Sequence, residues 1–527
     1  MKGRLPSVMK HDFSRAPQAN IQRSSFDRSH GYKTTFDAGY LVPIFLDEAL
    51  PGDTFKLNST LFGRISTLLF PIMDNVFLDT QFFAVPIRLL WNNWEKFNGA
   101  QDDPGDSTDF IVPTMPNPTT TGWVNGSLGD YFGLPTDVDG IEVMSLPFRA
   151  YNAIWNDWYR DENTQDSLIV DLDDGPDDPA DYVLQKRGKR YDYFTSCLPW
   201  TQKGDAVDIP LGTSAPVVGD GTLSKFNTAS DATERNFIIN ASGLTGNASY
   251  SGTSGDAVFW STTDVGLEAD LTNATAATIN SLREAFQIQR LLERDARGGT
   301  RYTEVIRSHF GVISPDARLQ RPEYLGGGSS RVDVQPVPQT SSTSGQPSPQ
   351  ANLAGYGTVT CHGHGFTKSF TEHCIIIGLC SVRADLNYQQ GLNRMWSRST
   401  RYDFYWPALS HLGEQAVLNK EIYADGTSAD DDVFGYQERY AEYRYKPSLI
   451  TGQFRSNFAQ SLDAWHLAQD FASLPALNSD FIEENPPFDR IKALDSEYPD
   501  ILLDCYFDLK CARPMPMYSV PGLIDHF

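Results

Sequence analysis

A chain of 527 residues with 40% hydrophobic, 12% aromatic and 21% charged side chains holds enough apolar surface to fold, which excludes global disorder. Its length fits roughly three or four ordinary domains, or one large domain with long insertions. Forty-three basic against 67 acidic residues leave a net charge of −24, so the surface as a whole cannot wrap nucleic acid or an anionic membrane, and any DNA contact must be local.

The first residues are basic and lack the apolar stretch of a secretory signal, and no run reaches the 18 or more apolar residues of a membrane span, so a soluble, cytosolic chain without membrane insertion is expected. Before Thr34, seven bases (Lys2, Arg4, Lys10, Arg15, Arg23, Arg28 and Lys33) face two acids, with little apolar patterning. Such an arm suits either DNA phosphates or the acidic surface of a neighbouring subunit. Strands are predicted at 55–61, 76–85, 357–366, 374–382, 441–446 and 501–510. The last alternates Ile501, Leu503, Cys505, Phe507 and Leu509 with polar or exposed partners, the period of a half-buried strand. The 76–85 run is apolar on both faces apart from Asp79, Thr80 and Gln81, as expected inside a two-sheet sandwich.

Phe148, Tyr151, Trp155 and Trp158 recur at helical spacing, a stripe that suits core packing better than base stacking because only Arg149 and Arg160 flank it. The acidic stretch Asp171 to Asp181 is expected to be a solvated loop. Its glycine and Tyr182 stand where a calcium loop would need other residues. Residues 205–277 are rich in Gly, Ser, Thr, Ala and Asn, carry nine acids against two bases, and read as an insertion. A helix follows at 278–297, with Thr278 as N-cap, Ile279, Leu282, Phe286 and Leu291 inward, and Gly298-Gly299 as its stop. On it Arg283, Arg290, Arg294 and Arg297 share one narrow face, suited to phosphates or to a partner's carboxylates, with self-pairing through Glu293 as the alternative. The composition of 326–350 is that of an extended linker lying on other surfaces.

His362 and His364 would share a face on a regular strand and, with Cys361, Glu372, His373 and Cys374, form the strongest candidate metal cluster. Seven residues separate His364 from Glu372, too many for the His-x-His and nearby Glu of a cupin, so hydrogen-bonded strand histidines are favoured and no cofactor is expected. The six cysteines are scattered, with no CxxC pair, and are expected to be reduced. P-loop, GxGxxG, GxSxG and HExxH motifs are all absent. Pro514, Pro516 and Pro521 keep the tail from continuing the sheet or forming a helix. Its apolar Tyr518, Leu523, Ile524 and Phe527 place it in a groove, on its own subunit or preferably on a neighbour.

Five stretches closely resemble the gokushovirus major capsid proteins of the microvirus family. They are FDRSHGYKTTFDAGYLVPIFLDEALPGDTFKLN from Phe26, LPFRAYNAIWNDWYRDENTQDSL from Leu146, ERDARGGTRYTEVIRSHFGVISPDARLQRPEYLGG from Glu293, FGYQERYAEYRYKPSLITGQFRS from Phe434 and ARPMPMYSVPGLIDHF from Ala512. The resemblance runs end to end except for 205–277. It implies an all-β fold, an eight-stranded antiparallel viral jelly roll (a β-sandwich) with large loop insertions and a few helices. It also implies self-assembly into a small T=1 icosahedral shell of a bacteriophage around circular single-stranded DNA, a virion capsid assembled in the host bacterial cytoplasm.

The partners so implied are other copies of the chain, the single-stranded DNA genome, a small basic DNA-packaging protein, an internal scaffolding protein and a host surface receptor. The expected organisation is a basic arm (1–33), a first part of the jelly roll with helical insertions (34–204), a threefold surface protrusion for host attachment (205–277), a helix and loop (278–325), the linker (326–350), a second part of the jelly roll (351–512) and an extended tail (513–527). The alternative, a large jelly-roll enzyme or carbohydrate-binding protein, is supported only by the histidine cluster and spare carboxylates.

Overall fold

In the computed structural model the described residues are 22–118, 121–207, 217–219, 225–228, 235–236, 238–240, 247–249, 258–260, 267–269, 279–341, 352–494 and 497–518. The chain divides into two compact units, one made of Met1–Thr201 with Gly298–Phe527, the other of Gln202–Arg297.

Ten strands build the two main sheets of the first unit: β1 (Ser24–Asp27), β2 (His30–Phe36), β3 (Val42–Ala49), β4 (Thr54–Ile65), β5 (Val76–Pro86), β6 (Glu323–Arg331), β7 (Asp333–Pro338), β8 (Leu353–Ser369), β9 (Cys374–Ala384) and β10 (Ile501–Arg513). One sheet runs β1-β10-β4-β8-β7, with β2 also on β10, and the other runs β6-β5-β9-β3. Every pairing within the two sheets is antiparallel. The chain crosses between the sheets from β2 to β5 and from β8 to β10, with β5 and β6 in the same sheet, so β2-β10-β4-β8 and β3-β9-β5-β6 are the two four-stranded layers of a jelly roll. Six and four strands stand where eight in all were expected, because β1 and β7 extend the edges of the first sheet.

The core fills the space between the layers. Strand β10 sends Ile501, Leu503, Cys505, Phe507 and Leu509 inward as its alternation predicts, against Leu78, Phe82, Ile376 and Val382 of the facing sheet. Burying each large side chain contributes about 1.5–3 kcal/mol. The second sheet is covered on its other face too. Helix α1 (Leu146–Trp158) presses Phe148, Tyr151 and Ile154 against Phe83, Val85, Ile375 and Ile377, so all of β9 is buried and β5 is apolar on both sides. That helical layer, rather than the sandwich alone, explains the apolar run at 76–85. A third core holds together the long connection from β9 to β10 through Tyr193, Phe194, Tyr388, Val417, Phe434 and Phe481.

Two expectations need correction. Residues 441–446 are not a strand: Ala441–Tyr443 is a single 3-10 turn, entered through Tyr440 at φ 62°, and Arg444 and Tyr445 close back on Ala441 O. Residues 326–338 are not a linker. They belong to β6 and β7, edge strands of the two sheets. Glycine composition misled because the absence of side chains is what lets this backbone pack: a Cβ on Gly326 would lie 2.5 Å from Gly365 O, and one on Gly327 would lie 2.0 Å from Thr80 O.

The second unit is made of short antiparallel pieces. Val217–Gly219 pairs with Leu267–Ala269, Lys225–Thr228 lies between Arg235–Asn236 and Val258–Trp260, and Ile238–Asn240 pairs with Asn247–Ser249. Strands of two to four residues are what a Gly/Ser/Thr-rich sequence supports, and they are marginal in isolation. Helix α2 (Ile279–Gly298) follows, and Gly299 at φ 91° ends it as the paired glycines predict.

Candidate assembly and nucleic-acid surfaces

Of the basic arm, Lys2, Arg4, Lys10 and Arg15 lie outside the described residues. Arg23 and Arg28 are held by β1 on the edge of β10. Arg23 donates to Thr54 Oγ1 (3.1 Å) and reaches Ala512 O (3.4 Å). Arg28 grips both oxygens of Asp47 at 2.6 and 3.0 Å. Burial opposes its charge, the Asp47 hydrogen bonds more than compensate, and its pKa is raised. That bidentate pair withdraws Arg28 from the set of free cations that a phosphate-binding arm needs.

On α2 the guanidinium-bearing Arg283, Arg290, Arg294 and Arg297 are all exposed. Glu293 accepts from Gln289 Nε2 at 3.0 Å. The inward stripe is corrected in part: Leu282 is half-buried, but Phe286 is 61% and Leu291 51% exposed. Phe286 stands three residues after Arg283 and four before Arg290, so it shares the arginine face. Thr278 lies outside the described residues. In the tail Tyr518 is exposed, while Leu523, Ile524 and Phe527 lie outside the described residues.

The histidines do not converge. Gly363, at φ 76°, forms a bulge in β8 between His362, paired with Thr60, and His364, paired with Ser59. The extra residue breaks the alternation, so His362 faces out while His364 is buried. His373 packs edge-on to Trp94 at 5.2 Å. Among the described residues no group of three metal-ligating side chains forms. All six cysteines are free and buried.

His364 is held by Thr80 Oγ1 on Nδ1 (2.7 Å) and Ser330 Oγ near Nε2 (3.3 Å), and burial lowers its pKa. Unfolded histidine takes up a proton near pH 6.5, whereas the folded ring resists, so below about 6.5 the unfolded state binds more protons and stability falls with pH. Buried Glu421 and Glu484, whose pKa values burial raises, act in the opposite direction. The diagnostic quantity is therefore the difference between the wild type and His364→Gln: the variant is expected to lose part of the acid-side decline in the denaturation midpoint. Parallel pH profiles would refute this role.

The aromatic helix stripe is core: Phe148, Tyr151 and Trp155 are buried, and Trp158 donates to Pro322 O at 3.0 Å under the Arg321 guanidinium. The acidic stretch is not simply a solvated loop. Asp177 is fully buried against Arg149, and Asp174 accepts from Trp91 Nε1 at 2.7 Å.

A further surface carries side chains to which sequence reasoning gave no role. Tyr402, Phe404, Tyr405, Trp406, Tyr443 and Tyr445 are exposed on the β9–β10 connection. Arg398, Arg401 and Arg439 lie against those rings or against the buried Tyr440. Beside them a small recess is lined by Tyr193, Tyr388, Arg394, Glu421, Tyr445 and Leu449. Arg394 pairs with Glu421 at 2.9 Å, and Tyr193 donates to the same carboxylate at 2.8 Å. The alternation of Arg439-Tyr440 with Tyr443-Arg444-Tyr445 was the available signal.

A jelly roll with long loop insertions and exposed aromatic surfaces is an architecture that viral shell subunits share with lectins and cupins. The sequence decides among them. Residues 14–523 match the family described as "Capsid protein (F protein)", and the chain belongs to that family. It is 50% identical to capsid protein VP1 of Bdellovibrio phage phiMH2K, over 98% of both chains. It is 48% identical to capsid protein VP1 of Chlamydia phage 1, over 99% of both. With capsid protein VP1 of Spiroplasma virus 4 the identity is 39%, over 97% of both. The resemblance to gokushovirus capsid proteins therefore holds over the full length, and the chain is a structural capsid protein rather than an enzyme. Among the described residues no helix is long and apolar enough to cross a membrane.

Proposed function

We propose that copies of this chain close into a T=1 icosahedral bacteriophage shell around a circular single-stranded DNA genome, assembled in the host bacterial cytoplasm with an internal scaffolding protein. The observation that carries this reading is the end-to-end identity of 48–50% with phage capsid proteins, joined to the jelly-roll topology. The net charge of −24 supports a separate small basic packaging protein, since this chain cannot neutralise the phosphates itself. Lys2, Arg4, Lys10 and Arg15 are the proposed local phosphate contacts. The tail beyond Tyr518 is proposed to dock on a neighbouring subunit. Electron microscopy of the expressed chain, alone and with its partner proteins, tests the reading: closed particles of one size are expected, and only small soluble species would refute it.

The 205–277 insertion is proposed to form a surface protrusion that binds the host receptor. The division of the chain supports this, because Gln202–Arg297 forms one compact unit and the jelly roll forms the other. A deletion joining Gly204 to Thr278 is expected to keep the thermal transition of the jelly roll and to abolish adsorption to host cells. Loss of the folded subunit would show that the insertion is part of the fold's foundation.

A further inference from the structure

The connection from β9 to β10 bears a surface whose charge runs against the rest of the chain. Residues 392–412 and 434–461 hold seven basic residues against three acidic ones, within a chain of net −24. Large rings stand in water there: Trp396 is 70%, Tyr402 55% and Tyr443 50% exposed. Guanidinium groups are already stacked on Tyr402, Tyr443 and two neighbouring rings. Arg398 sits 4.4 Å from the Tyr443 centroid and 5.3 Å from that of Phe404, and Arg401 sits 5.3 Å from Tyr402 and 5.5 Å from Trp406. Tyr405 lies 5.4 Å from Tyr440 and 6.2 Å from Tyr443, and the Tyr440 hydroxyl donates to Tyr402 O at 3.0 Å, so the two groups are continuous.

Rings and arginines of this kind, with Lys446 the only lysine in the two segments, match the composition of a protein interface core, where Tyr, Trp and Arg are enriched and Lys is depleted. Stacking fixes the arginine heads before a partner arrives, which lowers the entropy lost on docking. Phosphates fit less well. Glu442 pairs with Arg398 at 3.5 Å, Glu438 pairs with Arg444, and Asp403 is caught by the Ser399 and Thr400 amides, a mixed charge pattern that a protein surface carrying both signs can match group by group and a uniform phosphate backbone cannot. The remainder of the chain is more acidic than the whole, so the complementary charge is abundant on other copies of it.

We propose that this arginine–aromatic surface docks on a carboxylate-rich surface of a second copy of the chain. The inference rests on the shell reading and adds the residues through which copies join. Carbodiimide treatment of wild-type particles, built from a mixture of isotope-labelled and unlabelled chains, tests it. Lys446 is expected to be joined to an Asp or Glu of a differently labelled chain. Arg401→Glu and Trp396→Ser, both at exposed side chains, are expected to keep the thermal transition while lowering particle yield at least about tenfold.

Links from Lys446 only within its own chain would overturn the proposal, as would wild-type yields from both folded variants. Ultraviolet crosslinking of Tyr402 or Tyr443 to packaged single-stranded DNA would assign the surface to the genome instead and overturn it too. Should a variant unfold, the linkage pattern of the wild-type particles decides. A wild type that forms no particle refutes the shell reading itself, and this inference with it.

Discussion

Replacing Asp177 by Ala is expected to destabilise the subunit by about 3–5 kcal/mol, the cost of stranding a buried charge. Arg149 rises from α1 with no solvent exposure. Its Nε donates to Asp177 Oδ2 at 2.7 Å, its NH2 donates to Oδ1 at 2.5 Å, and its NH1 donates to Leu90 O and Asp173 O at 2.9 and 3.0 Å. Burial opposes the arginine's charge and the Asp177 hydrogen bonds overcome it, which leaves its pKa raised. Tyr182 donates to the same carboxylate at 2.9 Å, so the loss of Asp177 leaves that phenol only its longer contact to Asp171 at 3.3 Å.

Because Arg149 joins α1 to the chain around Leu90 and Asp173, the damage falls on the layer that covers the outer face of β5 and β9. A loss of this size is a large share of the 5–15 kcal/mol typical of whole-protein stability. Urea denaturation of both variants measures it. The double variant Arg149→Met with Asp177→Leu is expected to recover most of the loss, since replacing both partners leaves no unpaired charge. A cost below about 1 kcal/mol for Asp177→Ala would mean that Asp173, 3.5 Å from Arg149 and largely in water, can substitute.

The sequence was a good guide where one physical rule acted alone. Strand β10 alternates because one face meets the core and the other meets solvent, and its burial follows the letters. It was a poor guide where a second layer or a local irregularity intervened. The run at 76–85 was legible as a strand, but the helix that covers its outer face comes from 146–158, far along the chain. His362 and His364 looked coplanar because the rule of two assumes no bulge, and Gly363 makes one. Acid-rich composition suggested solvent for Asp177, although a single buried arginine reverses that preference. The arginine–aromatic surface has no periodicity because it sits on turns, so a search for strands at 441–446 passed over it. The family itself was legible throughout, since long blocks at both ends and in the middle carried the resemblance.

Gly327→Val is expected to cost about 3 kcal/mol, near the upper end for an added side chain in a packed site. If 326–338 were a flexible linker the substitution would leave stability nearly unchanged, because the freedom lost with glycine would be lost from the folded and unfolded chains alike. The structure decides through distance. A Cβ at Gly327 would meet Thr80 O at 2.0 Å and Gln81 Cα at 3.0 Å, and both are backbone atoms of β5 that no rotamer change can move. Gly327 pairs with Gln81 just beyond the irregular register between Tyr324 and Gly326, where β6 presses closest on its neighbour. Relief requires β6 to lift from the edge of its sheet, which would weaken the Ser330 contact to His364. Hydrogen exchange at the β5 amides, together with the urea midpoint, reads the effect. Faster exchange along Val76–Pro86 with a lowered midpoint supports an integral strand, and an unchanged or raised midpoint would return the segment to the status of a linker.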